Sequence, residues 1–435
     1  MVLVNHGEAL ALIPKPPARL VVIGLGYVGL QLAVAAACAG MQVAGIDIDP
    51  EVVARLSDGD SHVDDIPSTL IRPLLADGRL VVGDDPSVVS FGEVVVVCVP
   101  TPLDQNGVPD TGAIKSAALT LAPHLRPGTL VVLESTSYPG TTEDLVLSLL
   151  ETGGLRAGID FHLAFSSERI DPGNQRFDLR NTPKVVGGLT DTCGDRAVAF
   201  YERITSTVVR AAGIREAEMS KLLENTYRYV NIALVNELAQ VCEKLSIDVW
   251  EVVRCAATKP FGFEAFTPGP GVGGHCIPVD PHYLSWFSQQ AAGHDFRMIA
   301  AAKSINDGMP SYVADRVKLA LAGQGVEMRG ARILLLGVTY KPDVADARES
   351  PAYVLAAELG MRGAHVVWHD PYFEHWESPG GQAQRAEDLE VELDRADITV
   401  MVQPHSVYRN LRLESMGRLI FDTRGTLVGE NVVSL

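Results

Sequence analysis

RLVVIGLGYVGLQLAVAAACAGMQVAGIDID, residues 19–49, reads as a short apolar strand, a glycine turn, a helix and a second strand that stops at an aspartate. The turn Gly24-Leu25-Gly26-Tyr27-Val28-Gly29 has the glycine spacing that allows a tight bend, close backbone approach to a pyrophosphate, and close packing of helix on strand. Asp47 ends the next strand, eighteen residues after Gly29. A carboxylate there accepts hydrogen bonds from a ribose 2′-hydroxyl and repels a 2′-phosphate, which predicts NAD rather than NADP. Asp49 is the alternative acid, and Asp47 is preferred because the strand ends there. The stretch from Leu20 to Ile46 has no charged residue and is long enough to span a bilayer. Five glycines interrupt it, however, so a buried strand–turn–helix is expected and a membrane helix is not.

Working outward, LVVIG (20–24), MQVAGIDID (41–49), EVVVVCVP (93–100), TLVVLES (129–135) and FHLAFS (161–166) are short, Val-rich and bounded by turns, with Ala- and Leu-rich helical stretches between several of them. Continuous apolar runs, as opposed to alternation, indicate parallel strands covered on both faces. Residues 215–244 contain neither Gly nor Pro and carry apolar residues at helical spacing, predicting one helix roughly 45 Å long. A helix of that length bridges lobes or packs against a partner. After an amphipathic connector the strand pattern restarts at ARILLLGV (331–338), HVVWHDP (365–371), DITVMVQP (397–404) and RLIFDTR (418–424). The expected fold class is α/β, with two Rossmann-like doubly wound lobes joined by a central helical region that contains one long helix. The expected domains are a flexible leader (1–18), an NAD-binding domain (19–212), a central helical dimerisation domain with the cysteine loop (213–306) and a second Rossmann-like domain (307–435).

The 435 residues carry 36 basic and 54 acidic side chains, a net charge of −18, which argues against nucleic-acid binding. A few local groups and helix N-termini still suffice to hold an anionic small molecule. The first ten residues show no secretory pattern. Six cysteines without paired spacing predict reduced thiols in the cytoplasm, and Cys38 and Cys98 sit in apolar runs that read as core.

One of the six stands apart. TPGPGVGGHCIPVDP (267–281) is a Gly- and Pro-rich turn that presents Cys276, with Asp280 four residues later. Free cysteine is among the most buried residue types, so alone it reads equally as structural. Beside a dinucleotide signature, a thiol and a carboxylate suit covalent oxidation of a carbonyl through a thioester. A zinc site built from His275, Cys276, Asp280 and His282 is the rival chemistry, but their spacing lacks the ligand pairs usual for zinc. No metal is expected.

With GLGYVG, KLLENTYR and GGHCIPVDP in that order, the chain resembles the UDP-glucose/GDP-mannose dehydrogenase family from about residue 19 to 430. The resemblance implies a homodimeric or larger assembly and an NAD-dependent, four-electron oxidation of the C6 hydroxyl of a UDP-sugar to the uronate. VVLESTSYPGTTE (131–143), SSERIDPGN (166–174) and the segment 258–284 look most like UDP-N-acetyl-D-glucosamine 6-dehydrogenases, with UDP-glucose or UDP-N-acetylmannosamine as alternatives.

Roles then follow by position. Cys276 is the implied nucleophile, adding to the aldehyde to give a thiohemiacetal and then a thioester. Asp280 assists proton transfer and hydrolysis. Lys221 and Asn225, one helical turn apart, support the oxyanion, and Thr136 and Glu168 orient water or substrate. The cofactor set is Gly24, Gly26, Tyr27, Val28, Gly29, Asp47, Thr101, Thr136 and Arg348. The substrate set is Glu168, Arg169, Lys221, Asn225, Phe266, Gly269, Gly273 and Lys341. The departures are Ser167 where the family usually has proline, Pro172 in place of a second glutamate, Gln31 after the glycine turn, and His282 in place of an aromatic. A non-catalytic nucleotide-sugar sensor on the same scaffold is the rival of another class.

Overall fold

The computed structural model describes residues 18–104, 107–174, 176–378, 383–411, 413 and 417–435. Of the expected leader, only Ala18 lies among them. The first sheet has eight strands: β1 (Arg19–Ile23), β2 (Gln42–Ile46), β3 (Leu80–Gly83), β4 (Val94–Val97), β5 (Leu130–Leu133), β6 (His162–Ser166), β7 (Lys184–Gly188) and β8 (Val208–Arg210). They lie in the order 3-2-1-4-5-6-7-8. The second sheet has six strands: β9 (Arg332–Leu336), β10 (His365–His369), β11 (Gln384–Arg385), β12 (Ile398–Met401), β13 (Ile420–Asp422) and β14 (Val432–Ser434). Their order is 11-10-9-12-13-14. Both are doubly wound, with the order reversing beside β1 and beside β9, where ligand crevices form at the carboxyl ends of strands.

Strand residues are apolar on both sides because helices cover both faces. Leu20 and Val22 enter one core while Val21 enters the other, and Leu334 and Leu336 oppose Ile333 and Leu335 in the second sheet. Each such fully buried side chain contributes roughly 1.5–3 kcal/mol relative to exposure. One pairing breaks the pattern: β6 and β7 are antiparallel, with Ser166 opposite Val186. The strands β3, β7, β8, β11 and β14 are short additions to those expected. Cys38, expected in the core, is exposed as the last residue of helix Tyr27–Cys38, whereas Cys98 is half-buried.

The long helix spans Ile214–Lys244, 31 residues. A second helix, Arg297–Gly323, packs against it and runs unbroken across residues 306–307 into the second lobe. Buried Asn236 and Asn306 join the two through their side chains at 2.9 Å, and the Asn306 amide also donates to the Tyr229 carbonyl at 3.3 Å. Between them lie helix Val249–Ala256, the cysteine turn and helix Asp280–Ala292. Among the described residues no helix is long and apolar enough to cross a membrane.

Candidate active site

At the first crevice, Gly24 takes φ +87°, and its N–H donates to the Ile46 carbonyl at 2.8 Å. A Cβ on Gly29 would stand 1.8 Å from the Gly24 carbonyl oxygen, so only glycine lets the helix seat on the strand. A Cβ on Gly26, by contrast, would meet nothing within 4 Å. The backbone there faces open space at an uncapped helix N-terminus without acidic residues in its first turn. Asp47 is half-buried and accepts from Leu25 N at 2.7 Å and Asp49 N at 3.0 Å. Asp49 instead caps helix Pro50–Ser57 by accepting from Glu51 N, which separates the two candidate acids.

Four expected groups meet between the lobes. Lys221 and Asn225 project from the buried face of the long helix, and Asp280 opens the helix that follows the cysteine turn. The Asn225 amide donates to the Asp280 carboxylate at 2.5 Å, so Asn225 orients the acid in addition to any contact it makes with an oxyanion. Burial raises the Asp280 carboxyl to about 6 against the opposing pull of Lys221 and Asn225. Burial, and then the Asp280 charge, push the Cys276 thiol up to about 12, again opposed by Lys221. His275 Nδ1 lies 3.0 Å from Cys276 Sγ. Among the described residues no set of three His, Cys, Asp or Glu side chains is placed to hold a metal.

The segments after three strands, β4, β5 and β6, complete the first-lobe side. The Thr101 hydroxyl donates to the Thr136 carbonyl at 2.6 Å, and buried Tyr283 donates to the Thr101 carbonyl, tying the helix after the cysteine turn to both loops. The Glu168 carboxylate accepts from Ile170 N and still presents one buried oxygen without a hydrogen-bond partner. Arg169 turns aside to Glu224 and to the Pro183 carbonyl, the latter at 2.8 Å.

The second lobe closes over the turn. Gly274 N donates to the Arg348 carbonyl at 3.0 Å, and a Cβ on Gly273 would lie 2.7 Å from the Glu349 carbonyl oxygen. Gly269 is buried, with its N–H on Asn236 Oδ1 at 2.9 Å. Gly269 and Gly273 therefore act as docking points between elements in this structure. Phe266 packs edge-on against Tyr227 at 5.8 Å between ring centroids. Lys341 crosses to the first lobe and pairs with Asp171 at 2.7 Å, and Arg348 pairs with Asp346. A cleft of about 570 Å³ between the lobes is lined by Tyr27, His62, Pro172, His275, Asp346 and Arg348 among others. Its size suits a cofactor or drug-sized ligand.

Three successive stretches match known family models. They are the NAD binding domain of the UDP-glucose/GDP-mannose dehydrogenase family over residues 18–205, its central domain over 215–308 and its UDP binding domain over 334–429. This chain belongs to the UDP-glucose/GDP-mannose dehydrogenase family. It is an NAD-dependent nucleotide-sugar dehydrogenase. The UDP-N-acetyl-D-mannosamine dehydrogenase of Pyrococcus horikoshii is 33% identical over 401 residues, 92% of each chain. The NDP-N-acetyl-D-galactosaminuronic acid dehydrogenase of Ralstonia nicotianae is 35% identical over 418 residues, 93% of this chain and 95% of that one. A solved UDP-glucose dehydrogenase from Pyrobaculum islandicum superposes with a TM-score of 0.88 at 27% identity, covering 98% and 99%. The solved P. horikoshii enzyme gives 0.85 at 32%, covering 96% and 98%.

NAD, the family's cofactor, fits the first crevice of this dehydrogenase. The open backbone at Gly26 and the uncapped helix suit a pyrophosphate, and half-exposed Asp47 retains lone pairs for ribose hydroxyls. Sequence reasoning missed Lys184, Glu134 and Tyr201, which are buried beside Glu168. Lys184 and Glu134 were signalled only by charge beside apolar strand residues, KVVGG and VVLES, and Tyr201, at the end of helix Asp191–Tyr201, by nothing local.

Proposed function

We propose that this dehydrogenase oxidises the C6 hydroxyl of a UDP-N-acetylhexosamine to the carboxylate, and that UDP-N-acetyl-D-mannosamine is its substrate. Similarity over 92% of the chain to an enzyme of that name carries the reading. It displaces the UDP-N-acetylglucosamine favoured by the motifs around the cysteine turn. The matched UDP binding domain supports a UDP-sugar in the second lobe, where Lys341 is its contact. Phe266 reaches it from the central region, and Arg169 joins only on release from Glu224.

NAD, when bound, accepts a hydride at each of the two oxidations. We assign its binding to the Gly24–Gly29 turn, Asp47, Thr101, Thr136 and Arg348. Asp280 is a carboxylate at neutral pH and takes the Cys276 proton as the sulfur bonds to the C6 aldehyde carbon. The Lys221 ammonium stabilises the resulting oxyanion. Once the carbon has reached the acyl level, Asp280, Thr136 and Glu168 direct the water that cleaves the thioester. Cys276→Ser should abolish acid formation, and undiminished uronate from that variant excludes the covalent route. NADH yield with UDP-linked N-acetylmannosamine, N-acetylglucosamine, N-acetylgalactosamine and glucose tests the substrate. Two NADH per UDP-N-acetylmannosamine, at the highest kcat/KM of the set, is expected. A higher value for another sugar overturns the assignment.

The proposal includes a homodimer built on the long helix. Leu223, Tyr227, Leu234 and Val241 recur on one helical face and are exposed, Leu223 at 62% and Leu234 at 60%. A monomer by light scattering removes this element. The six cysteines are unpaired, and the nucleophile must remain a thiol, which supports the cytoplasm as the working compartment.

A further inference from the structure

The reversal between β6 and β7 has a chemical result. In an all-parallel sheet, the first residue of each strand lies at the edge away from the ligand crevice. Here β7 runs backward, so its first residue, Lys184, arrives at the edge where β4, β5 and β6 end. The register Ser166 to Val186 continues past the strand, with Ser167 N donating to the Val185 carbonyl at 3.2 Å. Glu168 therefore stands across from Lys184, whose Nζ lies 3.9 Å from its carboxylate. The same Nζ lies 2.9 Å from the carboxylate of Glu134, the residue after β5. Tyr201 donates its hydroxyl to the other Glu134 oxygen and offers its ring to the ammonium at 5.2 Å.

These groups are sealed: Lys184 is 2% exposed, Glu134 1% and Tyr201 0%. A structural ion pair would need one carboxylate. This site has two around one ammonium, and the second belongs to a residue already read as facing the reacting centre. Glu168 also acts electrostatically on Cys276 from that position.

We infer that Lys184, steadied by Glu134 and Tyr201, is a positioning residue that holds the Glu168 side chain aimed at the thioester. The inference rests on the reading of Glu168 given above and adds the device that sustains it. In the step concerned, a water oxygen bonds to the acyl carbon and the C–S bond breaks. One water proton passes to Glu168, Cys276 leaves as thiolate, and the acid product gives its remaining proton to solvent. Without the ammonium, two carboxylates face each other in one water-poor space, and their mutual repulsion turns Glu168 away from the thioester. Charged and titratable neighbours on the packed elements are Lys184 from β7, Glu134 after β5, Tyr201 from helix Asp191–Tyr201, Cys98 after β4 and Cys276 from the central turn.

The test uses full-length Lys184→Gln, Lys184→Met and Lys184→Arg, with Glu168→Gln as control. The Gln and Met variants should lose kcat on the order of 10²-fold with KM within about threefold. The rapid first formation of NADH should persist, and intact-protein mass spectrometry should find the acyl adduct on Cys276. Lys184→Arg, which keeps the charge, should recover most of kcat. If Glu168→Gln accumulates the adduct and neither neutral Lys184 variant does, the inference is wrong. It is equally wrong if Lys184→Gln turns over like the parent, or loses its early NADH in proportion to its steady rate. If Glu168→Gln accumulates no adduct, the reading of Glu168 itself falls, and this inference with it.

Discussion

The first crossover of each sheet begins identically. Gly24 and Gly337 end β1 and β9 with φ of +87° and +82°. Gly24 N donates to the Ile46 carbonyl at 2.8 Å, and Gly337 N to the His369 carbonyl at 2.9 Å. The next N–H in each case reaches an aspartate after the neighbouring strand, Asp47 or Asp370, at 2.7 Å. The paths then part. In the first lobe the helix starts at Tyr27, its N-terminus uncapped and its aspartate half-open. In the second, residues 338–350 intervene, Ser350 caps helix Pro351–Met361, and buried His405 closes on Asp370 at 3.0 Å. Identical corner geometry thus serves opposite ends. An orphan helix N-terminus beside an accessible carboxylate makes a dinucleotide site. The second lobe satisfies both groups internally, and its long loop carries Tyr340, Lys341 and Arg348 over the cysteine turn instead.

Substitutions at the two corners should separate binding from stability. Gly29→Ala is expected to act most strongly, because its Cβ collides with the Gly24 carbonyl. Activity should fall by at least about 10²-fold, since displacements of an ångström cost that much. Steady-state kinetics in NAD would reveal it, and a fully active protein would mean the turn is not tightly constrained. Asp370→Ala should come next, destabilising the chain by roughly 3–5 kcal/mol, because His405 and the Val338 and Tyr372 N–H groups lose their acceptor. Denaturant unfolding measures this, and the KM for NAD of the folded fraction should not move. Asp47→Ala should do the reverse, raising the KM for NAD about 10- to 100-fold while costing only about 1 kcal/mol of stability. Equal loss of stability at the two aspartates would undo the contrast.

Acid titration sharpens the comparison with the smallest effect. Burial pushes Asp370 up, but His405 and the backbone N–H groups outweigh it and hold the carboxyl below its ordinary 3.8. Its contribution to stability is therefore complete above that value and disappears only as pH falls through the lower, folded pKa. Asp280 is shifted the other way, to about 6. Its charged form is disfavoured by folding, so acidification through 6 does not unfold the chain by way of this group, but it removes the base proposed for Cys276. Between about pH 4 and 6 the protein should remain folded while kcat/KM declines. Circular dichroism alongside rate profiles checks this, and coincident loss of both signals contradicts it.

Much of this was legible in the chain. The glycine corner, the long helix and the parallel strands depend on neighbouring residues and buried apolar runs, so local pattern suffices. The preference for Asp47 over Asp49 followed from where a strand ends, and Asp49 proves to be busy as a helix cap. Lys221 and Asn225 were placed on one face by helical period alone. Cys38 was misjudged because an apolar run does not reveal that its last residue emerges into solvent. Strands β8, β11 and β14 were missed because two or three residues carry no readable pattern, and β7 because KVVGG opens on a lysine and closes on two glycines.

By itself, then, the order of residues determined two doubly wound sheets, a bridging helix and a thiol on a rigid turn, since strand length, helical period and glycine placement act over a few neighbours. Only the tertiary structure decided that Lys184 faces Glu168, that Asn225 binds Asp280, and that Lys341 reaches Asp171. Those pairs join residues from 16 to 170 positions apart. They depend on the direction of β7, on the packing of the central helices and on the closure of one lobe over the other, none of which a local pattern encodes.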